Sequence, residues 1–225
     1  MTERIFITGT DTGVGKTVVT RALARAARRL GIEVVAVKPV ESGVDGRGET
    51  DALRIARAAG DPESRGRCLY AFEAAVSPHL AAQMEGRDVS PDALLQFLES
   101  CAVRSEMVLA EGAGGLLVPL ADGVTYGDVI ARSGYSLLIV APNILGTINA
   151  TLLTIEAARR RNISVIGVVL NGRGAEPLGN RDAIERWGAV SVWGELPTLD
   201  AAEDDSLADA AEQYLDVNRL FTKSR

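Results

Sequence analysis

The stretch GTDTGVGKT at residues 9–17 has the composition of a phosphate-binding loop. Glycines let the backbone curl until several N–H groups face one anion, and a helix that starts behind the loop adds its positive dipole end. Lys16 stands where a lysine reaches the outer phosphates, and the Thr17 hydroxyl can ligate Mg²⁺. The first glycine, Gly9, comes one residue earlier than in the common pattern. The stretch therefore predicts a nucleotide site, with an accidental glycine-rich turn as the alternative.

Two carboxylates are candidate metal ligands. Glu111 follows the apolar run MVLA, where an uncompensated carboxylate would be costly and a metal ion would offset the cost. Asp51 opens a predicted helix in GETDAL. The alternative for Asp51 is an ordinary N-terminal helix carboxylate, which the helix dipole favours.

A second group of polar residues suggests an acceptor beside the nucleotide. Lys38 and Ser42, in KPVESG, follow the second predicted strand, where a lysine could hold an anionic acceptor and stabilise a transferring phosphoryl group. A surface lysine before a turn is the alternative. Asn171 follows another predicted strand and could read a base with its amide or simply form a turn. The helix starts SPHLAA and LGTINA could take a carboxylate, but ordinary capping explains both equally well.

Composition limits the class of protein. The 225 residues are 47% hydrophobic, enough for one domain with a full core, and the net charge of −6 gives no general attraction to nucleic acid or to an anionic membrane. We expect the arginine clusters at residues 25–29 and 159–161 to be solvated helix surface. Cys68 and Cys101 form no CxxC pair and no signal peptide is seen, so we expect a cytoplasmic protein. His79 is alone, which excludes a His-based metal cluster.

Short apolar runs alternate with amphipathic stretches along the whole chain. Strands are predicted at residues 4–8, 33–37, 106–110, 136–141, 164–170 and 190–193. Helices are predicted at residues 16–30, 51–59, 91–103, 126–132, 148–161, 182–187 and 206–220. Residues 44–49 and 172–179 are predicted loops, and GELP is expected to follow the last strand. The pattern predicts an α/β fold, a single P-loop NTPase-like domain over residues 1–225 with a mostly parallel sheet and helices on both faces. Ligands of such sheets bind at the carboxyl ends of the strands.

The motifs GTDTGVGKT, KPVESG, TDAL, SPHLAA, EGAGGLLVPL, LGTINA, VVLNG and GELP occur in this order. The ordered set resembles the dethiobiotin synthetase family, from the first strand to about Pro197. Partition and cell-division ATPases share the fold but carry a lysine where this chain has Asp11. Cobyrinate-type amidotransferases need a second domain. Gly13 departs from the glutamate that family members carry at its position.

The resemblance implies an ATP- and Mg²⁺-dependent cyclo-ligase that forms the ureido ring of dethiobiotin from 7,8-diaminopelargonate and CO₂, acting as a homodimer. Nucleotide contacts are implied for Gly13, Val14, Gly15, Lys16, Thr17, Val18, Asp51, Glu111, Gly112, Ala113, Gly114, Asn171, Gly172, Pro197, Thr198 and Leu199. Substrate contacts are implied for Thr12, Lys38, Ser42 and, across the subunit interface, for Thr147, Ile148 and Asn149. Metal ligands are implied at Thr17, Asp51 and Glu111, and catalytic roles at Thr12, Lys16, Lys38 and Ser42.

Two other hypotheses stay open on sequence alone. One is a nucleotide-switched binding ATPase of the partition class, and the other is a related ligase with a different carboxylated substrate. Lys38 and Ser42 discriminate against the first, because a switch needs no small acceptor.

Overall fold

The computed structural model describes residues 2–46, 48–61, 68–103, 105–173, 179–199 and 204–221. Within them lie ten strands: β1 (Glu3–Gly9), β2 (Val34–Val37), β3 (Val40–Ser42), β4 (Tyr70–Phe72), β5 (Met107–Gly115), β6 (Pro119–Ala121), β7 (Val124–Thr125), β8 (Ser136–Pro142), β9 (Val165–Arg173) and β10 (Val192–Pro197). The helices are α1 (Lys16–Arg29), α2 (Asp51–Ala58), α3 (Pro78–Met84), α4 (Pro91–Ala102), α5 (Tyr126–Ser133), α6 (Thr147–Arg159), α7 (Asn180–Gly188) and α8 (Asp204–Tyr214), followed by a 3₁₀ helix at Val217–Phe221.

Six strands form the central sheet in the order β10-β9-β8-β1-β5-β2, and every pairing is parallel. The strand that leads into the phosphate loop, β1, is therefore flanked by β5 on one side and β8 on the other. Their carboxyl ends meet at one edge of the sheet, which is where the sequence places its polar residues. The predicted fold class is confirmed.

The sheet has a hydrophobic cluster on each face, and alternate residues of one strand enter different clusters. Ile5 and Ile7 of β1 belong to the cluster that α1, α2 and α8 cover, whereas Phe6 belongs to the cluster beneath α4, α5 and α6. Both faces of the strands are thus buried, as their unbroken apolar runs predict. A parallel sheet covered in this way leaves the strand ends as the accessible edge.

Several strands are longer at their carboxyl ends than the sequence predicts. Glu111 pairs with Ile7, and Asn171 pairs with Pro142, so both lie inside strands and not after them. GELP, predicted to follow the last strand, forms the end of β10 because Leu196 and Pro197 pair with β9. The apolar runs predicted strand ends before these polar residues, but pairing with a neighbouring strand extends each strand.

The closing helix is also shorter than predicted. Residues 206–220 were expected as one helix, but α8 ends at Tyr214 and a 3₁₀ turn follows. The break occurs because Leu215 forms a bridge with Gly194, and the Asp216 N–H donates to the Trp193 carbonyl (2.7 Å). The chain pairs there with the first half of β10, which interrupts the helical hydrogen bonds.

Two minor pairs lie outside the central sheet and were not predicted. Strands β3 and β4 pair in parallel, and β6 pairs with β7 antiparallel. Of the predicted loops, residues 44–46 and 48–49 carry no helix or strand, as expected, while Gly172 belongs to β9. Residue 47 and residues 174–178 of these loops lie outside the described residues.

The first arginine cluster was expected to be solvated helix surface. In the structure its side chains are partly exposed, but two of them also pair with acidic residues of a second helix. Arg25 of α1 pairs with Asp205, and Arg29 pairs with Asp205, Asp209 and Glu212, all on α8. These pairs are exposed and individually worth little, but they hold α8 along α1. In the part of the chain that the structure describes, no helix is long and apolar enough to cross a bilayer.

Candidate nucleotide and acceptor site

The loop between β1 and α1 has the backbone that an anion cradle requires. Gly13 and Gly15 have φ values of 75° and 91°, in the left-handed region that other residues rarely adopt. At Gly15 a side chain is also excluded by space, because a Cβ would lie 2.0 Å from Asn171 Nδ2. Gly15 offers no capping side chain, so the first amides of α1 are free to face an anion.

Lys16 lies across this loop. Its Nζ donates to the Asp11 carbonyl at 3.0 Å, and the side chain is largely buried. Burial lowers the pKa of Lys16, and the nearby Glu111 carboxylate offsets part of that effect. A cation held at the mouth of the loop is placed to meet the outer phosphates of a nucleotide.

A charge cluster links the loop to three other elements. Lys38 Nζ lies 2.6 Å from Asp51 Oδ2 and 3.0 Å from Glu111 Oε1. The Thr17 hydroxyl donates to the same Glu111 oxygen at 2.8 Å. The end of β2, the start of α2, the middle of β5 and the start of α1 therefore meet at these four side chains.

The pKa shifts in the cluster follow from burial and from the opposite charges. Burial disfavours the charge of Lys38, but Glu111 and Asp51 outweigh burial and raise the pKa of the lysine. Burial likewise pushes the pKa of Asp51 up, but the Lys38 ammonium outweighs it and brings the pKa below its ordinary value. Both groups are thus charged near neutral pH.

The donor set fits Mg²⁺. Glu111 is fully buried, and its Oε2 has no hydrogen-bond partner among the described residues. A buried carboxylate oxygen without a partner is costly, and a cation there would remove the cost. Two carboxylates and one hydroxyl are hard oxygen ligands, and Mg²⁺ ordinarily takes its remaining ligands from phosphate and water. In the structure the Lys38 ammonium already contacts both carboxylates.

One cleft of about 600 Å³ contains most of the predicted site. It is lined by Thr12, Gly13, Gly15, Lys16, Thr17, Val18, Lys38, Ser42, Asp51, Ala75, Val76, Ser77, Pro78, Glu111, Ala113, Gly114 and Val118. The predicted acceptor residues and the predicted nucleotide residues thus share one space. Ala75, Val76 and Val118 were not singled out in the sequence, since small apolar residues carry no signal of their own.

The predicted base-pocket residues lie together beside this cleft, at the ends of β9 and β10. Asn171 Nδ2 donates to the Val14 carbonyl at 3.1 Å, which ties the strand end to the phosphate loop. A Cβ on Gly172 would lie 3.8 Å from Thr198 Oγ1, so these two residues are neighbours. Gly112 does not line the cleft, because a Cβ there would point to the Phe6 ring at 3.0 Å.

The first turn of α6 lies apart from the main cleft. Thr147 is buried, and its Oγ1 has no hydrogen-bond partner in the described structure, whereas Asn149 is exposed. Asn149 lines a second groove of about 480 Å³, which Thr12 also borders. Within the chain, the predicted substrate residues therefore fall into two groups, and Thr12 borders both spaces.

Glu41, whose role sequence reasoning missed, belongs to the same site. Its carboxylate is buried and accepts hydrogen bonds from the Asp51 and Ala52 amides. The KPVESG motif contains this glutamate, but its partners are ten and eleven residues away, beyond a loop. The signal available in the sequence was the predicted helix start at Asp51, because the first amides of a helix need hydrogen-bond acceptors.

The fold has solved relatives among nucleotide-binding proteins. The chain is similar to the septum site-determining protein MinD complexed with Mg-ADP from Pyrococcus horikoshii OT3, with a TM-score of 0.59 at 18% identity, covering 100% of this chain and 90% of that one. It is also similar to the MinC:MinD cell division protein complex of Aquifex aeolicus, with a TM-score of 0.62 at 16% identity and coverage of 100% and 98%. At this identity the likeness shows the fold alone.

Sequence relatives are more specific. A family model described as an AAA domain matches residues 3–206. The ATP-dependent dethiobiotin synthetase BioD of Anaeromyxobacter sp. (strain Fw109-5) is 48% identical over 168 residues, which cover 74% of this chain and 75% of that protein. The protein of the same name from Rhodopseudomonas palustris (strain BisB5) is 41% identical over 211 residues, 93% of each chain. The chain belongs to the ATP-dependent dethiobiotin synthetase family.

Proposed function

We propose that the protein closes the ureido ring of dethiobiotin from 7,8-diaminopelargonate and CO₂ at the expense of ATP, releasing ADP and phosphate. Family membership carries the coarser statement, which is that the chain is an ATP-dependent ligase of biotin biosynthesis. The observation that carries the finer one is the shared cleft, in which Lys16 of the phosphate loop and Lys38 of a separate element lie together. A nucleotide switch does not need a second lysine that faces the space beside the phosphate loop, apart from its role as a counter-ion to Asp51 and Glu111.

The reaction proceeds in three steps. One amine of the substrate adds to CO₂ and loses a proton to give a carbamate. A carbamate oxygen attacks the γ-phosphorus of ATP, ADP leaves, and a carbamic–phosphoric anhydride forms. The second amine attacks the carbamoyl carbon, the ring closes and phosphate departs. Phosphoryl transfer of this kind depends on positioning and on electrostatic stabilisation, so no nucleophile from the protein is needed.

The lysines and the loop supply that stabilisation. The amides at the start of α1 and the Lys16 ammonium hold the phosphates of ATP. Lys38 holds the carbamate and offsets the negative charge that gathers as it meets the γ-phosphate. Thr12 and Ser42 border the same cleft and are placed to orient the diamine. Thr17, Asp51 and Glu111 would hold Mg²⁺, which neutralises charge on the phosphate oxygens.

The remaining contacts are proposed for the base and for the distal end of the substrate. Asn171, Gly172 and residues 197–199 would surround the adenine, since they lie together beside the loop. The first turn of α6 would receive the substrate carboxylate from a second subunit, through Thr147, Ile148 and Asn149. The unpartnered, buried Thr147 hydroxyl supports this assignment, because a carboxylate would satisfy it.

The decisive measurement is phosphate release from Mg·ATP and bicarbonate, with and without 7,8-diaminopelargonate, together with the mass of the organic product. We expect release to require the diamine, and the product to be heavier by one carbonyl less two hydrogens. Phosphate release that does not depend on the diamine would favour a nucleotide switch. Release that is stimulated by another diamine or amino acid but not by this one would favour a related ligase.

A further inference from the structure

Glu41 is a buried carboxylate that the proposed reaction does not use. It lies in β3, three residues after Lys38, and its side chain is 6% exposed. We propose that Glu41 is a positioning residue that holds Asp51 at the metal edge of the cleft. The inference rests on the proposed function in one respect, namely that Asp51 is a metal ligand.

The Glu41 carboxylate caps α2 from a different element. Its Oε1 accepts the Asp51 N–H at 2.6 Å, and its Oε2 accepts the Ala52 N–H at 3.1 Å. The Thr50 hydroxyl accepts the next amide, that of Leu53, at 3.2 Å. The first three amides of α2 therefore all have partners, and Glu41 alone provides two of them. The dipole of α2 and these two bonds offset part of the cost of burying the charge, but burial outweighs them and raises the pKa of Glu41.

Asp51 is thereby held at two points by the segment that runs from β2 into β3. Lys38 contacts the Asp51 carboxylate, while Glu41 binds the Asp51 backbone. The two contacts differ in what happens when ligands arrive. The lysine uses a carboxylate oxygen that a metal ion also needs, so its contact competes with the metal. The Glu41 contact uses only the backbone amide and is unaffected by that exchange.

This difference gives Glu41 its role. When Lys38 turns to an anionic substrate, the Asp51 carboxylate keeps the longer ion pair with Arg54 (3.7 Å). The bonds from Glu41 to the backbone of the first turn of α2 stay as they are. Residues 43–50, which lead into the helix, include no strand or helix among those described, and the backbone bonds that anchor Gly43 and Val44 lie several residues before Asp51. Preorganised ligands bind a cation more tightly than ligands that must be ordered first, so Glu41 should raise metal affinity without touching the metal.

A purely structural role makes a different prediction, and Thr50 offers the matched control. Thr50→Ala removes a cap from the same helix, but the cap it removes is at Leu53 and not at Asp51. If Glu41 only stabilises α2, then Glu41→Gln and Thr50→Ala should both lower the melting temperature. Neither variant should then change the affinity for the metal ion. If Glu41 positions Asp51, only the Glu41 variant should change metal binding.

The test measures Mn²⁺ binding to the full chain in the presence of a non-hydrolysable ATP analogue. Electron paramagnetic resonance reports the free and bound Mn²⁺. We expect Glu41→Gln to raise the Mn²⁺ dissociation constant about tenfold, equivalent to about 1.4 kcal/mol. The Mn²⁺ dissociation constant of Thr50→Ala should stay within about twofold of that of the unaltered protein. In turnover, Glu41→Gln should raise the KM for Mg²⁺ while kcat at saturating Mg²⁺ changes little.

The outcomes separate the two proposals. Equal Mn²⁺ affinity in Glu41→Gln and the unaltered protein, while Asp51→Asn weakens binding, would overturn the role of Glu41 alone. Unchanged affinity in Asp51→Asn would instead remove Asp51 from the metal site and so contradict the proposed function. If Glu41→Gln does not fold, Glu41→Asp carries the test, because its shorter carboxylate reaches the Asp51 amide less well and should weaken Mn²⁺ binding in the same direction.

Discussion

At the scale of single residues, Lys38 has two partners in the structure and a third in the proposed reaction. Its ammonium neutralises Asp51 and Glu111, and the same group is assigned to the carbamate. An ammonium in contact with two carboxylates offsets the repulsion between them. Lys38 is thus both a structural counter-ion and a candidate catalytic group, and a substitution tests both roles.

Replacing Lys38 with Gln should collapse turnover while sparing ATP binding. We expect kcat to fall by at least about a hundredfold, the usual loss when one transition-state donor is removed. The dissociation constant for ATP, measured by calorimetry, should stay within about threefold of that of the unaltered protein. Lys16→Gln is the contrasting variant, because it should weaken ATP binding itself. Equal loss of ATP affinity in both variants would contradict the separate role of Lys38.

The counter-ion role predicts a change in stability as well. Removing Lys38 breaks the buried pair with Glu111 and leaves Asp51 with the longer Arg54 pair (3.7 Å). Breaking a buried pair by removing one partner costs about 3 kcal/mol. Urea unfolding of Lys38→Gln in EDTA should show a loss of that order, and Mg²⁺ should restore part of it. A variant as stable as the unaltered protein in EDTA would show that the lysine does not compensate the carboxylates.

At the scale of elements, α5 is fixed by a capping box that also reaches the end of α6. Asp128 accepts hydrogen bonds from the Thr125 N–H (2.8 Å) and hydroxyl (2.6 Å), and Arg161 Nε donates to its other oxygen (3.1 Å). Burial pushes the pKa of Asp128 up, but the Thr125 bonds and Arg161 outweigh it and lower the pKa. The carboxylate therefore stabilises the fold when it is charged.

Asp128→Asn should destabilise the protein by about 1 kcal/mol at neutral pH, the ordinary cost of a lost cap. A depressed folded pKa contributes stability that is fully present above the unfolded value and is lost as the pH falls through the folded value. The difference between the two proteins should thus be constant above about pH 5 and shrink below about pH 4, the range of a free aspartate. Urea unfolding across this range measures it, with Asp122→Asn, an exposed residue, as control. A difference that persists unchanged at pH 3 would contradict the charged role.

The elements also show why part of the site could be predicted from sequence and part could not. The phosphate loop is local, because its glycines, Lys16 and the start of α1 are contiguous in the chain. Lys38 and Glu111 were found as candidate site residues because ligands of parallel sheets bind at the carboxyl ends of the strands. The strand ends at Asn171 and GELP were misplaced, since pairing with neighbouring strands decides them. The Glu41 contact depends on how β3 lies against α2, which no local pattern encodes.

At the scale of the whole molecule, the groove beside α6 carries exposed apolar side chains. Leu117 and Leu153 line the groove and are each at least half exposed. Ile144 and Leu145 immediately precede α6, whose first turn carries the unpartnered Thr147 hydroxyl, and Leu145 is 94% exposed. Exposed apolar surface next to the proposed carboxylate-binding turn would suit a two-fold interface in which each subunit completes the site of the other. We therefore expect a homodimer formed through this face.

A charge placed in that face should separate the subunits and stop the reaction together. We expect Leu145→Asp to be monomeric at micromolar concentration in analytical ultracentrifugation, because burying an unpaired carboxylate at the interface is costly. Trp187→Asp is the control, since Trp187 is also exposed, at 69%, but lies on α7. If the partner supplies the carboxylate-binding turn, the Leu145 variant should bind ATP normally yet need far more diamine for turnover. A monomer with an unchanged KM for the diamine would show that each subunit holds a complete site, and Thr147 to Asn149 would then need another role.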